Sequence, residues 1–233
     1  MRVLINFAMN GYYQSQKELS KSAIEVGGFD KVIEYSGDDL DSDFREKYKE
    51  HFIHSRGAGY WIWKPYIILK TLLTLEPEDI LMYCDSGASF ISSIDPYMDI
   101  FIGSIMLFQM DIHLERHWTK SDIFEKLDCL NDIDVTDSRQ CLSGFIFCKK
   151  DENAITILKK WFELCEDFHL VSDEPSILPN FPGFRENRHD QSLLSCLAHK
   201  YKDIHKIQIE ADPSQYGRPI HKLPEIIDCH RRR

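Results

Sequence analysis

Residues 55–89 read SRGAGYWIWKPYIILKTLLTLEPEDILMYCDSGAS, and this stretch determines the expected fold. It contains a glycine-rich turn, an aromatic cluster and then apolar residues at helical spacing over residues 65–75. The apolar run 80–84 follows and ends at Asp85. A helix that leads into a buried strand is typical of α/β proteins. In open α/β sheets ligands bind at the carboxyl ends of the strands, so we expect Asp85 to lie at a binding site.

The segments on both sides of this stretch also predict an α/β class. Residues 2–8 and 31–35 are short apolar runs typical of strands, and residues 15–25 between them have an apolar helical face. Later strands are predicted over 105–108, 144–148 and 203–209, and later helices over 39–54, 151–168 and 188–198. We therefore expect one α/β domain over residues 1–233, with a mostly parallel central sheet flanked by helices.

The composition disfavours two classes of function. Of the 233 residues, 43% are apolar, which is enough to form a core on both sides of a sheet. The formal net charge is −10, whereas binding to nucleic acid or to an acidic membrane surface requires a positive surface. No apolar run approaches the roughly 20 residues of a membrane-spanning helix. We expect neither a nucleic-acid partner nor a membrane span.

The cysteines and the first residues indicate the compartment. Seven cysteines, an odd number without a CxxC pair, are interpreted as reduced, buried thiols and not as disulfides or a zinc site. The first residues run directly into a predicted strand, without the long apolar region and small-residue cleavage site of a signal peptide. These features predict a soluble protein of the cytoplasm.

The side chains of residues 55–89 fit a nucleotide-diphosphate site with a divalent ion. Asp85 supplies an oxygen ligand, while Arg56 or Lys64 can contact phosphate oxygens. Trp61 and Trp63 can stack on a base. In the alternative interpretation the tryptophans belong to the core, Lys64 is a solvated residue at a helix start, and Asp85 caps a turn.

Five segments of the chain together carry a resemblance to a known family. In chain order they are GYWIWKPYIILKTL (59–72), DILMYCDSGASF (79–90), SGFIF (143–147), ENRHDQSLLS (186–195) and DCHRRR (228–233). They resemble a family of small GT-A-type glycosyltransferases of bacterial polysaccharide genes and large algal viruses. The resemblance implies a GT-A-like fold and transfer of a hexose or deoxyhexose from a UDP-sugar donor to a hydroxyl of a glycan or glycoconjugate acceptor.

The resemblance also implies a divalent ion, Mn²⁺ or Mg²⁺, on the pyrophosphate of the donor. Asp85 is the implied acidic ligand, and His230, or else His221, is the implied nitrogen ligand. A nitrogen ligand favours Mn²⁺ over Mg²⁺. The family's metal motif is commonly acidic-x-acidic, whereas Gly87 occupies the third position here. The candidates for the missing ligand are Ser86, Ser89 and a water molecule.

Asp190 and Gln191 resemble the Asp-Gln pair that faces the donor sugar in several GT-A enzymes. Asp190 would orient donor hydroxyls or act as the base for the acceptor hydroxyl, and at a helix start it would also cap the helix. This pair and the lack of a dedicated base favour retention of the anomeric configuration. The other implied donor contacts are Arg56, Tyr60, Trp61, Trp63, Lys64, Ser86 and Arg188.

The polar segment 115–122, ERHWTKSD, is the predicted acceptor side, since sugar rings stack on aromatic faces and acidic groups bind hydroxyls. The residues expected there are Glu115, Trp118, Lys120 and Asp122, and the alternative is an ordinary polar loop. Two other functions stay open. The missing second acid would suit a non-catalytic module that binds nucleotide sugars or glycans. A phosphatase would need a second aspartate at the position of Gly87.

Overall fold

The computed structural model describes residues 1–9, 11–214 and 223–230. The strands are β1 (Arg2–Ala8), β2 (Lys31–Ser36), β3 (Ile80–Cys84), β4 (Ser89–Phe90), β5 (Ile105–Leu114), β6 (Arg139–Cys141), β7 (Phe145–Lys149), β8 (Ile207–Ala211) and β9 (Ile227–Asp228). The helices are α1 (Tyr13–Ser22), α2 (Ser42–Lys47), α3 (Lys49–Phe52), α4 (Gly57–Tyr60), α5 (Trp63–Thr74), α6 (Asp95–Met98), α7 (Glu115–Trp118), α8 (Ser121–Lys126), α9 (Ile133–Thr136), α10 (Glu152–Glu166), α11 (Phe168–Val171) and α12 (Asp190–Tyr201).

Seven strands form the central sheet. Their order is β2-β1-β3-β7-β5-β6, and β8 pairs with β5 outside this path. β1 pairs in parallel with β2 and β3, and β5 pairs in parallel with β8, whereas β7 is antiparallel to both β3 and β5 and β6 is antiparallel to β5. Five strands, β1, β2, β3, β5 and β8, therefore run in one direction. The expected α/β class and mostly parallel sheet are confirmed.

Both faces of the sheet are buried. Along β1, Val3 and Ile5 point to one face and Leu4 to the other, because side chains alternate along a strand. The Val3 face packs against α5, α10 and α12, while α1 lies on the face of Leu4. Burial on both faces explains why the strands appear in the sequence as continuous apolar runs. Within the described ranges, none of the helices has the length and apolar character needed to cross a membrane.

Several predicted elements have different bounds in the structure. The predicted helix over 39–54 is divided into a 3-10 turn, α2 and α3, with Tyr48 at φ −109° between the two α-helices. β5 extends to Leu114, well beyond the predicted end at 108, and β8 begins only at Ile207. The seven cysteines are all thiols, as predicted, but Cys229 is exposed while the other six are buried.

Candidate active site

The carboxyl ends of β1 and β3 open into a pocket of about 790 Å³, which we call the large pocket. Aromatic side chains form much of its wall, namely Phe7, Tyr12, Trp61, Trp63, Tyr83 and Phe145. A second pocket of about 220 Å³, the small pocket, adjoins it. Trp61, Asp85 and Gln191 line both pockets and so mark their junction. Asp85 thus lies at the strand end where the sequence predicted a ligand site.

The small pocket is lined mainly by charged and polar side chains. Its cations are Arg56, Lys64 and Arg188, and its carboxylates are Asp85, Glu186 and Asp190. Three positive charges therefore balance three negative charges around one small cavity. Such a wall offers both donors and acceptors to a neutral, hydroxyl-rich ligand.

Lys64 connects two parts of the site that are far apart in the sequence. It is a buried residue in the first turn of α5, and its Nζ lies 3.3 Å from Oδ1 of Asp85 and 3.3 Å from Oδ2 of Asp190. Nζ is also within 3.3 Å of the carbonyl and hydroxyl oxygens of Ser143. The interpretation of Lys64 as a solvated residue is wrong, because its charge is shared between two carboxylates inside the protein.

Burial and charge act against each other at this ion pair. Burial by itself lowers the pKa of Lys64, but Asp190 and Asp85 raise it, and the net shift is upward. Burial raises the pKa of Asp190, and the neighbouring Lys64 ammonium opposes this shift. Lys64 therefore stays protonated and holds both carboxylates in place.

Asp85 is fixed by its neighbours on one side and open to solvent on the other. The Tyr83 hydroxyl donates to its Oδ1 at 2.7 Å, and its backbone N–H donates to the Gly144 carbonyl at 2.9 Å. Its side chain is 51% exposed, in contrast to the buried Asp190. A Cβ on Gly144 would lie 2.9 Å from Oδ2 of Asp85, so a glycine at 144 leaves room for the carboxylate.

The glycine-rich stretch before α5 winds in the left-handed sense. The φ angles are 57° at Gly57, 50° at Ala58, 94° at Gly59, 53° at Tyr60 and 60° at Trp61. Left-handed geometry costs L-residues roughly 1–2 kcal/mol each, so the turn must be held by its surroundings. The Trp61 N–H donates to the Gly57 carbonyl at 3.1 Å, and the Trp63 indole N–H donates to the same oxygen at 2.9 Å. This turn places Trp61 at the junction of the pockets.

A second strained residue lies at the start of α12. His189 has φ 55° and ψ −127°, which is rare for a non-glycine residue and occurs mainly where function requires it. Its Nδ1–H donates to the Val171 carbonyl at 2.7 Å, and its ring stacks on Trp61 at 5.2 Å between centroids. The Trp161 indole N–H donates to the carbonyl of Asp190 at 2.9 Å. The core helix α10 thus anchors the residue that carries the buried carboxylate.

Most predicted donor contacts come together in the structure, but three need comment. Trp63 and Ser86 line the large pocket, yet Trp63 stacks on Phe7 at 3.7 Å and the Ser86 hydroxyl donates to the Phe7 carbonyl at 2.6 Å. Tyr60 lines neither pocket; it is buried, and its hydroxyl donates to Asp173 at 3.2 Å. The predicted contact of Tyr60 with the donor is therefore wrong.

Three of the residues predicted to bind the acceptor lie in the interior. Glu115, Lys120 and Asp122 are buried, with 0%, 2% and 9% of their surfaces exposed. The Lys120 ammonium donates to the carbonyls of His169 at 2.7 Å and Ser172 at 3.0 Å. Placing these three residues on an acceptor surface was wrong, because hydrogen bonds within the protein occupy them.

Trp118 is the exception among the acceptor candidates. It is half-buried, and its ring lies beneath two guanidinium groups, with 3.8 Å from the Arg188 Cζ and 5.2 Å from the Arg185 Cζ to the ring centroid. Because Arg188 lines the small pocket, Trp118 supports the pocket wall from behind. Its role as an acceptor contact stays a prediction.

Sequence reasoning missed Ser143 and Gly144, which contact Lys64 and Asp85. It used SGFIF as one motif of the resemblance and residues 144–148 as a strand, but gave neither residue a role in the site, although a small-residue pair directly before a buried strand was a usable signal. It also missed Cys229, which lines the large pocket.

The predicted metal ligands Asp85 and His230 do not form a metal site from protein side chains alone among the described residues. Within residues 1–9, 11–214 and 223–230, no group of three or more His, Cys, Asp or Glu is arranged to hold a metal ion. His230 is half-buried, and His221 lies outside the described residues. A divalent ion bound mainly through substrate phosphates needs only one or two carboxylates, and the half-exposed Asp85 is compatible with that mode of binding.

Asp122 fixes the long segment that delivers Arg188 and Asp190 to the site. Residues 172–189 connect α11 to α12, and the N–H groups of Ile177 and Leu178 donate to Asp122 at 2.9 and 2.8 Å. His169 contacts Asp122 through Nε2, and Nδ1 lies 3.0 Å from Glu174. The imidazolium form of His169 satisfies both carboxylates.

We expect the His169→Gln variant to lose stability mainly at acid pH. The hydrogen bond to Asp122 raises the pKa of His169, with burial opposing it. A raised pKa stabilises the fold below the ordinary value of about 6.5, and this contribution disappears as the pH rises through the folded-state pKa. Urea unfolding at about pH 5.5 should therefore show a loss of up to about 1 kcal/mol that shrinks by about pH 9.

His205→Gln is a matched control, because the His205 ring contacts the neutral amide of Asn153 at 3.2 Å. Because this change removes no ion pair, it should not reproduce the acid-specific loss of stability of His169→Gln. An equal loss at both pH values in His169→Gln would show that the charged pair does not stabilise this segment.

No protein-family model and no curated protein sequence matches the chain. Two solved structures resemble it over most of its length. One is a glycosyltransferase involved in the glycosylation of the major capsid of PBCV-1, with a TM-score of 0.49 and 13% identity over 92% of this chain and 84% of that chain. The other is mouse xyloside xylosyltransferase 1 in its apo form, with a TM-score of 0.47 and 10% identity over 91% and 84%. Both are glycosyltransferases.

Proposed function

We propose that the chain is a glycosyltransferase that moves a hexose or deoxyhexose from a UDP-sugar to a hydroxyl of a glycan or glycoconjugate. The observation that carries this proposal is the pair of adjoining pockets at the carboxyl ends of β1 and β3. One pocket is large and aromatic, the other is small and charged, and Asp85 and Gln191 line both. The sequence segments that resemble glycosyltransferases contain Asp85, Gln191 and most of the other residues that line the small pocket.

The large pocket suits the nucleotide part of the donor. Tyr12 and Trp61 in its wall are only partly buried and offer aromatic surface to a base, whereas Phe7 and Trp63 stack on each other. The diphosphate would then lie near Asp85, where a bound Mn²⁺ or Mg²⁺ held by Asp85 and His230 would neutralise charge on the leaving group. Because the Lys64 ammonium is 3.3 Å from Asp85, we expect weak binding of the ion without the diphosphate.

The small pocket suits the transferred sugar. Carboxylates and guanidinium groups hydrogen-bond well to sugar hydroxyls, and the balanced charges around this pocket match a neutral ring. Asp190 is buried and held by Lys64, so we assign it to orienting the sugar and stabilising positive charge near the anomeric carbon. Retention of configuration is part of the proposal, because Asp190 and Gln191 match the pair seen in several GT-A enzymes.

The second candidate is a non-catalytic module that binds nucleotide sugars. Gly87 in place of a second acidic ligand favours it, as does the lack of a protein metal cluster among the described residues. A phosphatase is disfavoured by the same glycine. The seven thiols suit a reducing compartment, which we propose to be the cytoplasm.

We expect UDP with Mn²⁺ to protect Cys229 from a thiol reagent. Cys229 is the only exposed cysteine of the seven and lines the large pocket, whereas burial raises the pKa of thiols such as Cys84 and Cys196. Labelling followed by mass spectrometry should slow about tenfold when the site is nine-tenths occupied, and chelation of the metal should reduce the protection.

The Cys229→Ser variant is the control, and it should show no fast-labelling cysteine. Turnover of a panel of UDP-sugars with varied acceptors then separates the two candidates. Protection with sugar transfer supports the enzyme, and protection without turnover of any donor supports the binding module. Labelling that no nucleotide slows would contradict both.

A further inference from the structure

A row of buried hydrogen bonds leads from Glu115 to the junction of the two pockets. Glu115 and Gln140 are both fully buried. The Gln140 Nε2 donates to Oε1 of Glu115 at 3.0 Å, and the Gln191 Nε2 donates to Oε1 of Gln140 at 2.8 Å. The Ser143 backbone N–H donates to Oε1 of Gln191 at 3.3 Å. Gln140 thus connects the interior carboxylate of Glu115 to Gln191, which lines both pockets.

The chemistry of these groups fixes the direction of every hydrogen bond in the row. An ionised carboxylate accepts only, so it must face the nitrogen of the Gln140 amide. The Trp118 carbonyl, 3.4 Å from the same nitrogen, also accepts only. Gln140 therefore presents its oxygen to Gln191, which in turn must present its nitrogen. The Gln191 oxygen is left facing the N–H of Ser143.

Glu115 is itself held in place by hydroxyl donors. Thr119 donates to Oε1 and Ser195 donates to Oε2. Burial raises the pKa of Glu115 above its ordinary value, although the hydrogen bonds from Ser195, Thr119 and Gln140 oppose this shift. Since these three side chains donate to the carboxylate, its neighbourhood is built for an acceptor.

We propose that Glu115 is a positioning residue that fixes, through Gln140, the orientation of the Gln191 amide at the junction of the two pockets. The inference rests on the proposed function in so far as Gln191 contacts the donor sugar. Reversal of the Gln140 amide would force Gln191 to turn as well or to lose its bond to Gln140. The turned amide would set its nitrogen against the N–H of Ser143 and break that hydrogen bond.

Glu115→Gln tests this inference with almost no change in side-chain volume. If the new amide directs its nitrogen at Gln140, the amides of Gln140 and Gln191 reverse. We expect kcat to fall roughly tenfold, the value of one misplaced hydrogen bond, while protection of Cys229 by UDP stays unchanged. A purely structural role would instead weaken nucleotide binding and catalysis in parallel with the melting temperature.

The double variant Glu115→Gln/Gln140→Glu is the rescue. The carboxylate now at position 140 would accept from both the new amide at position 115 and the amide of Gln191, so the Gln191 amide regains its original direction. We expect the double variant to recover part of the lost kcat, since the new carboxylate also faces the Trp118 carbonyl, to which it cannot donate. The inference would be overturned if kcat did not recover in a double variant as stable as wild type. It would also be overturned if kcat were unchanged in Glu115→Gln.

A readout that does not depend on catalysis keeps this test separate from the proposed function. The side-chain amide NMR signals of Gln191, assigned with Gln191→Met, should shift in Glu115→Gln and return in the double variant. If no UDP-sugar is turned over by wild type, the proposed function fails while these signals still decide the role of Glu115. Signals that stay unchanged in Glu115→Gln would overturn it.

Discussion

Lys64→Met is expected to destabilise the protein by about 3–5 kcal/mol, the range found when one partner of a buried ion pair is removed. The Lys64 ammonium is buried and lies 3.3 Å from both Asp85 and Asp190. Asp85 can turn to water because its side chain is half-exposed, but Asp190 cannot. The loss of stability should therefore come mainly from the carboxylate of Asp190, which is left buried without a cation. Urea unfolding at pH 7.5 would measure this loss.

Lys70→Met is the matched control for this variant. Lys70 lies on the same helix and pairs with Asp41 at 2.8 Å, but both side chains are exposed to solvent. Exposed ion pairs contribute about 0–1 kcal/mol, so this change should cost little. An equal loss of stability in the two variants would show that burial of the Lys64 pair does not increase its contribution to stability.

The double variant Lys64→Met/Asp190→Asn separates the charge from the packing. Asparagine removes the stranded carboxylate, so we expect the double variant to be more stable than Lys64→Met alone. A pH series gives a second criterion. In Lys64→Met the pKa of Asp190 is raised by burial without opposition from Lys64, and a raised carboxyl pKa favours the fold in acid. The deficit relative to wild type should therefore shrink as the pH falls toward about 4.5.

Local patterns explain why much of the sheet could be predicted. β1, β3 and β7 are continuous apolar runs because both faces of the sheet are covered, and their predicted and observed bounds agree within one residue. The direction of the individual strands could not be predicted from these local patterns. β6 and β7 run against the other strands, and this depends on how long connections return to the sheet.

For the site, the sequence predicted which motifs come together but not how their side chains are arranged. The strand end at Asp85 and the helix start at Asp190 were both singled out, and the structure places them on either side of Lys64. The environment of each side chain was not available from the sequence. The residues around Glu115 are polar, as in a surface loop, yet Glu115 is fully buried. The reason is that β5 continues to Leu114 and brings Glu115 under α12, where Ser195 donates to it.

The Gly57→Ala variant should combine a large loss of stability with a displaced Trp61. A Cβ at position 57 would lie 2.2 Å from the Trp61 ring, and φ there is +57°. Left-handed alanine costs roughly 1–2 kcal/mol and overpacking about 1–3 kcal/mol, so we expect a loss of about 2–5 kcal/mol in urea unfolding. Movement of the indole should also change tryptophan fluorescence and weaken the protection of Cys229 by UDP.

Gly28→Ala and a double variant make this prediction specific. Gly28 also has a positive φ, of +82°, but a Cβ there would meet only Ser93 at 3.4 Å and Arg2 at 3.6 Å, which are ordinary contacts. Its substitution should cost only the left-handed strain and leave UDP protection intact. In a Trp61→Ala background every ring atom that the new Cβ would meet is removed, so Gly57→Ala should then cost no more than Gly28→Ala. An equal cost of Gly57→Ala in both backgrounds would show that the glycine is needed for its backbone angle alone, and not for the close approach of the Trp61 ring that shapes the two pockets.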